Sequence, residues 1–204
     1  MDWLENPDLS KRTRDPERQA LNLCMKNFSF IIRFAIIAWE EHNTDELGLS
    51  SRQSRVSVAS IDNGDSDPFT QSLLEVMYYI DALMAKESPP NPPWIQAVQA
   101  KALSNFSSVF EDLAKVFRVK DLGELARGFI ESIPLRTEKA SHMNIAKLLL
   151  VRDLVRGSVF RTKASRDTVI AAVIRLLQKH LNNSDDERLL SIAILKELVA
   201  VIQE

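Results

Sequence analysis

Glycine is scarce in this chain, with five in 204 residues. Phosphate-cradling loops and tight hairpins depend on glycine at positive φ, so the scarcity favours helices joined by short turns. Neither a P-loop, nor a dinucleotide-binding Gly-x-Gly-x-x-Gly, nor a Gly-x-Ser-x-Gly nucleophile turn is present. Cys24 is the lone cysteine, which excludes an intrachain disulfide; set between Leu23 and Met25 on a helical pattern, it reads as a buried structural thiol. The three histidines, His42, His142 and His180, stand far apart with no Cys or His at metal-ligand spacing, so no metal and no cofactor is expected. Net charge is −2, without the basic excess of a nucleic-acid-binding domain. The polar opening MDWLENPDLSKRTRD has no apolar signal core, and a cytoplasmic location is expected.

Long apolar runs are also missing. The greasiest stretch, FSFIIRFAIIAW at 28–39, is shorter than the roughly 20 residues of a membrane span and carries Arg33 at its middle. On a helical wheel Asn22, Lys26, Ser29, Arg33 and Glu40 form one narrow polar stripe, and the remainder is mainly apolar. Such a pattern predicts a helix buried on two sides, inside a multilayer helical array.

Three segments open with a capping residue followed by proline, at Asp15-Pro16, Asp67-Pro68 and Asn91-Pro92. The side-chain oxygen accepts an orphan N–H, and proline has none to lose there. Periodicity then predicts helices from there to about His42, from Asp67 to about Met84, from Pro92 or Pro93 to about Phe117, and over Leu122–Ile133 and Glu138–Val159. A sixth is capped by Ser165 and ends near Leu181. A seventh is opened by the capping box Ser184/Glu187. In the fifth, Ala146, Leu149 and Leu150 are expected inward; in the second, Leu73, Val76 and Met77. No segment alternates with a period of two. The expected fold is all-α, an armadillo- or HEAT-like α-solenoid of about seven helices, with a compact bundle as the other arrangement. Residues 1–14 read as a polar tail and 15–204 as a single helical-repeat domain, with a flexible serine-rich loop at 44–67.

No catalytic constellation is visible, so intrinsic enzymatic activity is not expected. Asp185, Asp186 and Glu187 offset the dipole of a first helical turn. Between Arg136 and Lys179 there are ten Lys/Arg against three acids. Arg152, Arg156, Arg161, Lys163 and Arg166 are the candidates there for contact with an acidic partner or anionic lipid, against a simple solvated face. In the loop, Ser54 and Ser57 each follow an arginine by two positions and are candidate phosphorylation sites, against an unmodified linker.

The stretch LGELARGFIESIPLRTEKASHMNIAKLLLVRDLVRGSVFRTKASRDTVIAAVIRLLQKHL has a further pattern. One helix ends at Ile133-Pro134, a second closes on Val155-Arg156-Gly157-Ser158-Val159-Phe160, and a third follows Arg166-Asp167. Upstream stand FSFIIRFAIIAW, a polar loop, and LSNFSSVFEDLAKVF. This layout resembles the helical region between the lipid-binding and exchange domains of the dedicator-of-cytokinesis (DOCK) family, with Gly157 departing from the family's arginine-serine pair. The resemblance implies a non-catalytic scaffold segment of a guanine nucleotide exchange factor for Rho-family GTPases (Rac and Cdc42). Its partners would be protein partners and neighbouring domains of the same chain, with peripheral membrane contact. No family catalytic residue falls on this sequence. The alternative is an independent helical adaptor binding a peptide or helix of a partner protein.

Overall fold

The computed structural model describes residues 11–46, 67–86, 93–134 and 142–203. Among them lie nine helices and no strand: α1 (Lys11–Lys26), α2 (Phe28–Glu46), α3 (Pro68–Ala85), α4 (Pro93–Leu113), α5 (Val119–Ser132), α6 (His142–Arg156), α7 (Ser158–Arg161), α8 (Lys163–His180) and α9 (Asp185–Gln203). The two beyond the expected seven have local causes. At Asn27 the side-chain amide takes the Leu23 carbonyl at 2.9 Å, competing with the helix ladder. The chain there bends by 64° between α1 and α2. At Gly157 the backbone N–H tightens onto the Leu154 carbonyl, ending α6 and setting α7 apart.

The expected caps fare unevenly. Asp67 accepts the Thr70 N–H at 3.2 Å, as anticipated. Pro16 lies inside α1, which starts at Lys11, so residues 11–14 are helical and not tail. Residues 44–46 likewise belong to α2. Helix α8 begins two residues before Ser165, whose side chain is buried and caps nothing. Ser184 accepts the Glu187 N–H, but the Glu187 carboxylate turns inward and does not complete the box. Residues 1–10, the loop at 47–66 and Asn91-Pro92 lie outside the described residues.

Consecutive long helices alternate between two rows. One row runs α2, α4, α6, α9, each packed on the next; the other runs α3, α5, α8. Helix α1 lies against α4, and α7 fits between α6 and α8. Aromatic rings stack within a row and across the two. Phe28 of α2 stacks on Phe106 of α4 at 5.4 Å, and Phe106 stacks on Phe129 of α5 at 4.2 Å. Such pairs contribute about 0.5–1.5 kcal/mol each beyond their burial. Close approach fixes the α5–α8 pair: a Cβ on Gly123 would lie 3.0 Å from the Ser165 carbonyl oxygen.

Helix register is partly corrected. Val76 and Leu149 point outward, while Leu148 and Val151 fill the core of α6. On α2 only Phe28, Ile32 and Ile36 are buried, at i, i+4, i+8, against α4. The opposite face is open, with Phe30 58% and Phe34 71% exposed and Ile31 and Ile37 beside them. The expectation of burial on two sides therefore fails for this helix, because nothing described packs on its second side. No single described helix is both long and apolar enough to cross a membrane.

Candidate functional site

The chemistry of this molecule is concentrated at the ends of its helices. A helix C-terminus leaves carbonyls without partners and carries partial negative charge. Three such ends are held by a donor side chain from a neighbouring helix. Gln99 of α4 donates through Nε2 to the carbonyls of Leu83, Met84 and Lys86, at 2.9 to 3.2 Å, closing α3. Asn105 of α4 donates to the carbonyls of Met25 and Lys26, both at 3.2 Å, closing α1. Lys147 of α6 donates to the carbonyl of Ile133, just past α5, at 2.5 Å. Burial pushes the Lys147 ammonium down to about 8, helped by Lys179 and opposed by Glu131.

Acids do the reverse work. Glu111 of α4 accepts the backbone N–H of Ser158 at 2.6 Å, where α7 begins. A Cβ on Gly157 would sit 3.1 Å from the Asp153 carbonyl and would push aside the flexible end of that carboxylate. Buried Asp112 of α4 accepts from Arg33 of α2 at 3.0 Å and from Lys115 at 2.7 Å. The charge that interrupts FSFIIRFAIIAW thus ties α2 to α4.

Helices α6, α8 and α9 meet at a buried polar cluster. The Glu187 carboxylate accepts from His180 Nδ1 at 2.6 Å, Asn183 at 2.8 Å and Asn144 at 3.3 Å. Burial pushes that carboxyl up, but these hydrogen bonds and the charge of His180 outweigh it and hold it below its usual range. On α3, by contrast, Asp81 faces Gly128 with Oδ1 buried and unpartnered. Desolvation raises it to about 6.

The five basic candidates are not brought together as one free surface. Arg156 forms a two-pronged pair with Glu197 of α9, and Arg166 donates to the Val201 carbonyl at 2.8 Å. Arg152 is partly buried beside Asp153, while Arg161 and Lys163 stand exposed around the α7–α8 junction. Ser54 and Ser57 lie outside the described residues. Cys24 is partly buried and free. Periodicity does not reveal Gln99, Asn105, Lys147 or Glu111, since each bonds a backbone group 13 to 80 residues away. The one available signal is a polar residue on an otherwise buried helix edge.

A family model described as the dedicator of cytokinesis (DOCK) TPR region matches residues 50–204, which hold α3 to α9. The chain belongs to this family. The DOCK match includes the stretch 122–181 and leaves out FSFIIRFAIIAW. Its description names a TPR region where the helix pattern was expected to be armadillo- or HEAT-like. Among curated proteins the chain is similar to dedicator of cytokinesis protein 3 of mouse and of human, each 24% identical over 152 residues. That alignment covers 74% of this chain and 7% of either relative, so the chain spans a small part of their length. No solved structure matches it.

Proposed function

We propose that this DOCK-family chain is a non-catalytic connector in a guanine nucleotide exchange factor for Rho-family GTPases. Its two helix rows stack in the manner of an armadillo or HEAT solenoid and hold a membrane-binding domain and an exchange domain at fixed separation, in the cytoplasm. One observation carries this reading: helix ends are held by side chains of neighbouring helices, through Gln99, Asn105, Lys147 and Glu111. Packing alone lets helices slide by small amounts; a side chain bonded to a neighbour's terminus fixes both rotation and axial position. Buried polar contacts confer that specificity at some cost in stability.

The test is to replace residues 67–203, within the longer protein, by a Gly/Ser linker of equal length. Such a linker is a flexible coil and transmits no orientation. Exchange on a vesicle-tethered GTPase should fall, while exchange in solution is retained. Unchanged exchange on vesicles would defeat the connector reading, as would nucleotide release accelerated by the 204-residue chain alone. The independent adaptor draws on a separate observation, the exposed Phe30 and Phe34 of α2 and Tyr78 of α3. Stoichiometric capture of a partner peptide on those residues, with the linker replacement silent, would favour it.

A further inference from the structure

Helices α5 and α8 begin against the electrostatic rule that α9 obeys. The first turn of α9 holds Asp185, Asp186 and Glu187, whose charge offsets the positive end of the helix dipole. The first turn of α8 has no acid and opens on Lys163, just after Arg161 and Thr162. Helix α5 carries Lys120 at its second position, and its Asp121 is engaged by Arg118 at 3.0 Å. Neither helix has a side-chain cap, although Thr162 at the start of α8 carries a hydroxyl. The N–H groups of Val119, Lys120, Lys163 and Ala164 therefore have no partner within their helices, and all four residues are exposed.

The two helix starts stand side by side. Gly123 meets Ser165 near the beginning of the α5–α8 pair, and Glu131 accepts from Arg175 at 2.6 Å further along, so the helices run parallel. Their N-termini share one edge of the row. Lys120, Arg161 and Lys163 stand there exposed, with no ion pair among the described residues. In the seam just behind lies the Ser165 hydroxyl, fully buried and without a hydrogen-bond partner.

We propose that this edge is a docking surface for an acidic segment of a partner protein, whose carboxylates cap α5 and α8 from outside. The molecule makes the same contact once internally, where Glu111 accepts the Ser158 N–H at the start of α7. Two positive helix ends and three free cations select one kind of ligand. Cations at helix N-termini weaken a fold, so stability does not account for Lys120 and Lys163. Packed helix axes lie about 8–10 Å apart, and the close Gly123 contact puts this pair at the short end. In an extended segment alternate side chains face one way and recur every ~7 Å, so acids at alternate positions reach both helix ends together. A lipid surface fits less well. Lipid-binding clusters carry about four to eight cations, and Val119, 40% exposed, is too small an apolar group to anchor the edge in a bilayer.

The probe is a dye-labelled peptide of roughly eight residues, alternating Glu and Ser, titrated with the 204-residue chain at about 0.15 M salt, where distant charges are screened. Saturable binding is expected. Lys120→Glu with Lys163→Glu should weaken it roughly tenfold or more. Lys101→Glu with Lys196→Glu makes the same change of net charge at exposed sites on α4 and α9, and should leave binding unchanged. The first pair should also raise the thermal midpoint, because each new carboxylate offsets its own helix end. Binding lost while the midpoint rises does not come from unfolding. In the wild type, the peptide should shift the amide resonances of Val119, Lys120, Lys163 and Ala164. No binding, equal weakening by the two pairs, or shifts confined to other residues overturns the proposal. So does capture by phosphatidylserine vesicles of a chain that leaves the peptide free, which would assign the edge to lipid. The outcome is separate from the connector reading: a silent linker replacement sinks that reading and leaves this one standing.

Discussion

At the scale of single residues, the informative groups are polar ones at helix ends and edges. Asp67 and Ser184 were legible because a cap and its N–H lie three residues apart. Gln99, Asn105 and Lys147 were not, because their carbonyl partners belong to other helices and no local pattern encodes them. Asp81 differs from all of these: its carboxyl is partly buried with no compensating donor at Oδ1. Its folded-state value, about 6, lies above the ordinary 3.8. The folded protein therefore holds this proton more tightly than the unfolded chain, and stability falls as pH rises from about 4 to about 6. Asp81→Asn removes the ionisation. It is expected to raise stability at pH 7 by about 1 kcal/mol, a figure discounted for the group's partial exposure, and to change little at pH 4. Urea unfolding at the two pH values checks this; an equal effect at both would assign the change to packing and not to charge.

Helices as elements were readable from apolar spacing, and their breaks only in part. The long α4 buries Ile95, Val98, Ala102, Phe106, Val109, Phe110 and Leu113, all at helical spacing. Helices α1 and α2 read as one because Asn27 is neither glycine nor proline, and its side-chain bond to Leu23 is a competing interaction invisible to periodicity. In α6 the inward edge was misplaced at Leu149, since so apolar a run, LLLV, offers several helical registers. Pairing between elements shows most sharply at Gly123, where α5 comes so close to α8 that an added Cβ meets the Ser165 backbone at 3.0 and 3.1 Å. Backbone cannot swing aside as a side chain would, so the helices must separate. Gly123→Ala should cost about 1–3 kcal/mol despite alanine's better helix propensity. The measurement is a thermal or urea midpoint; a neutral or stabilising result would show that α5 and α8 can slide apart freely.

For the whole molecule, the all-α class and the repeat character were accessible from the missing glycine, the absent alternation and the helix lengths. The burial of α2 and α9 was not. Apolar content was read as burial on both sides, whereas α2 and α9 each bury one face and leave the other open. An open apolar face and a buried one carry the same residue types at the same spacing, so periodicity alone does not tell them apart. Because both faces are open among the described residues, charging them should leave the fold intact. Phe34→Glu and Leu195→Glu, 71% and 40% exposed in the wild type, are expected to shift unfolding free energy by no more than about 0.5 kcal/mol each. Urea unfolding of the two single variants checks this. A loss of several kcal/mol from either substitution would instead place that face inside the chain's own core, and the two-row stack would then have to close upon itself.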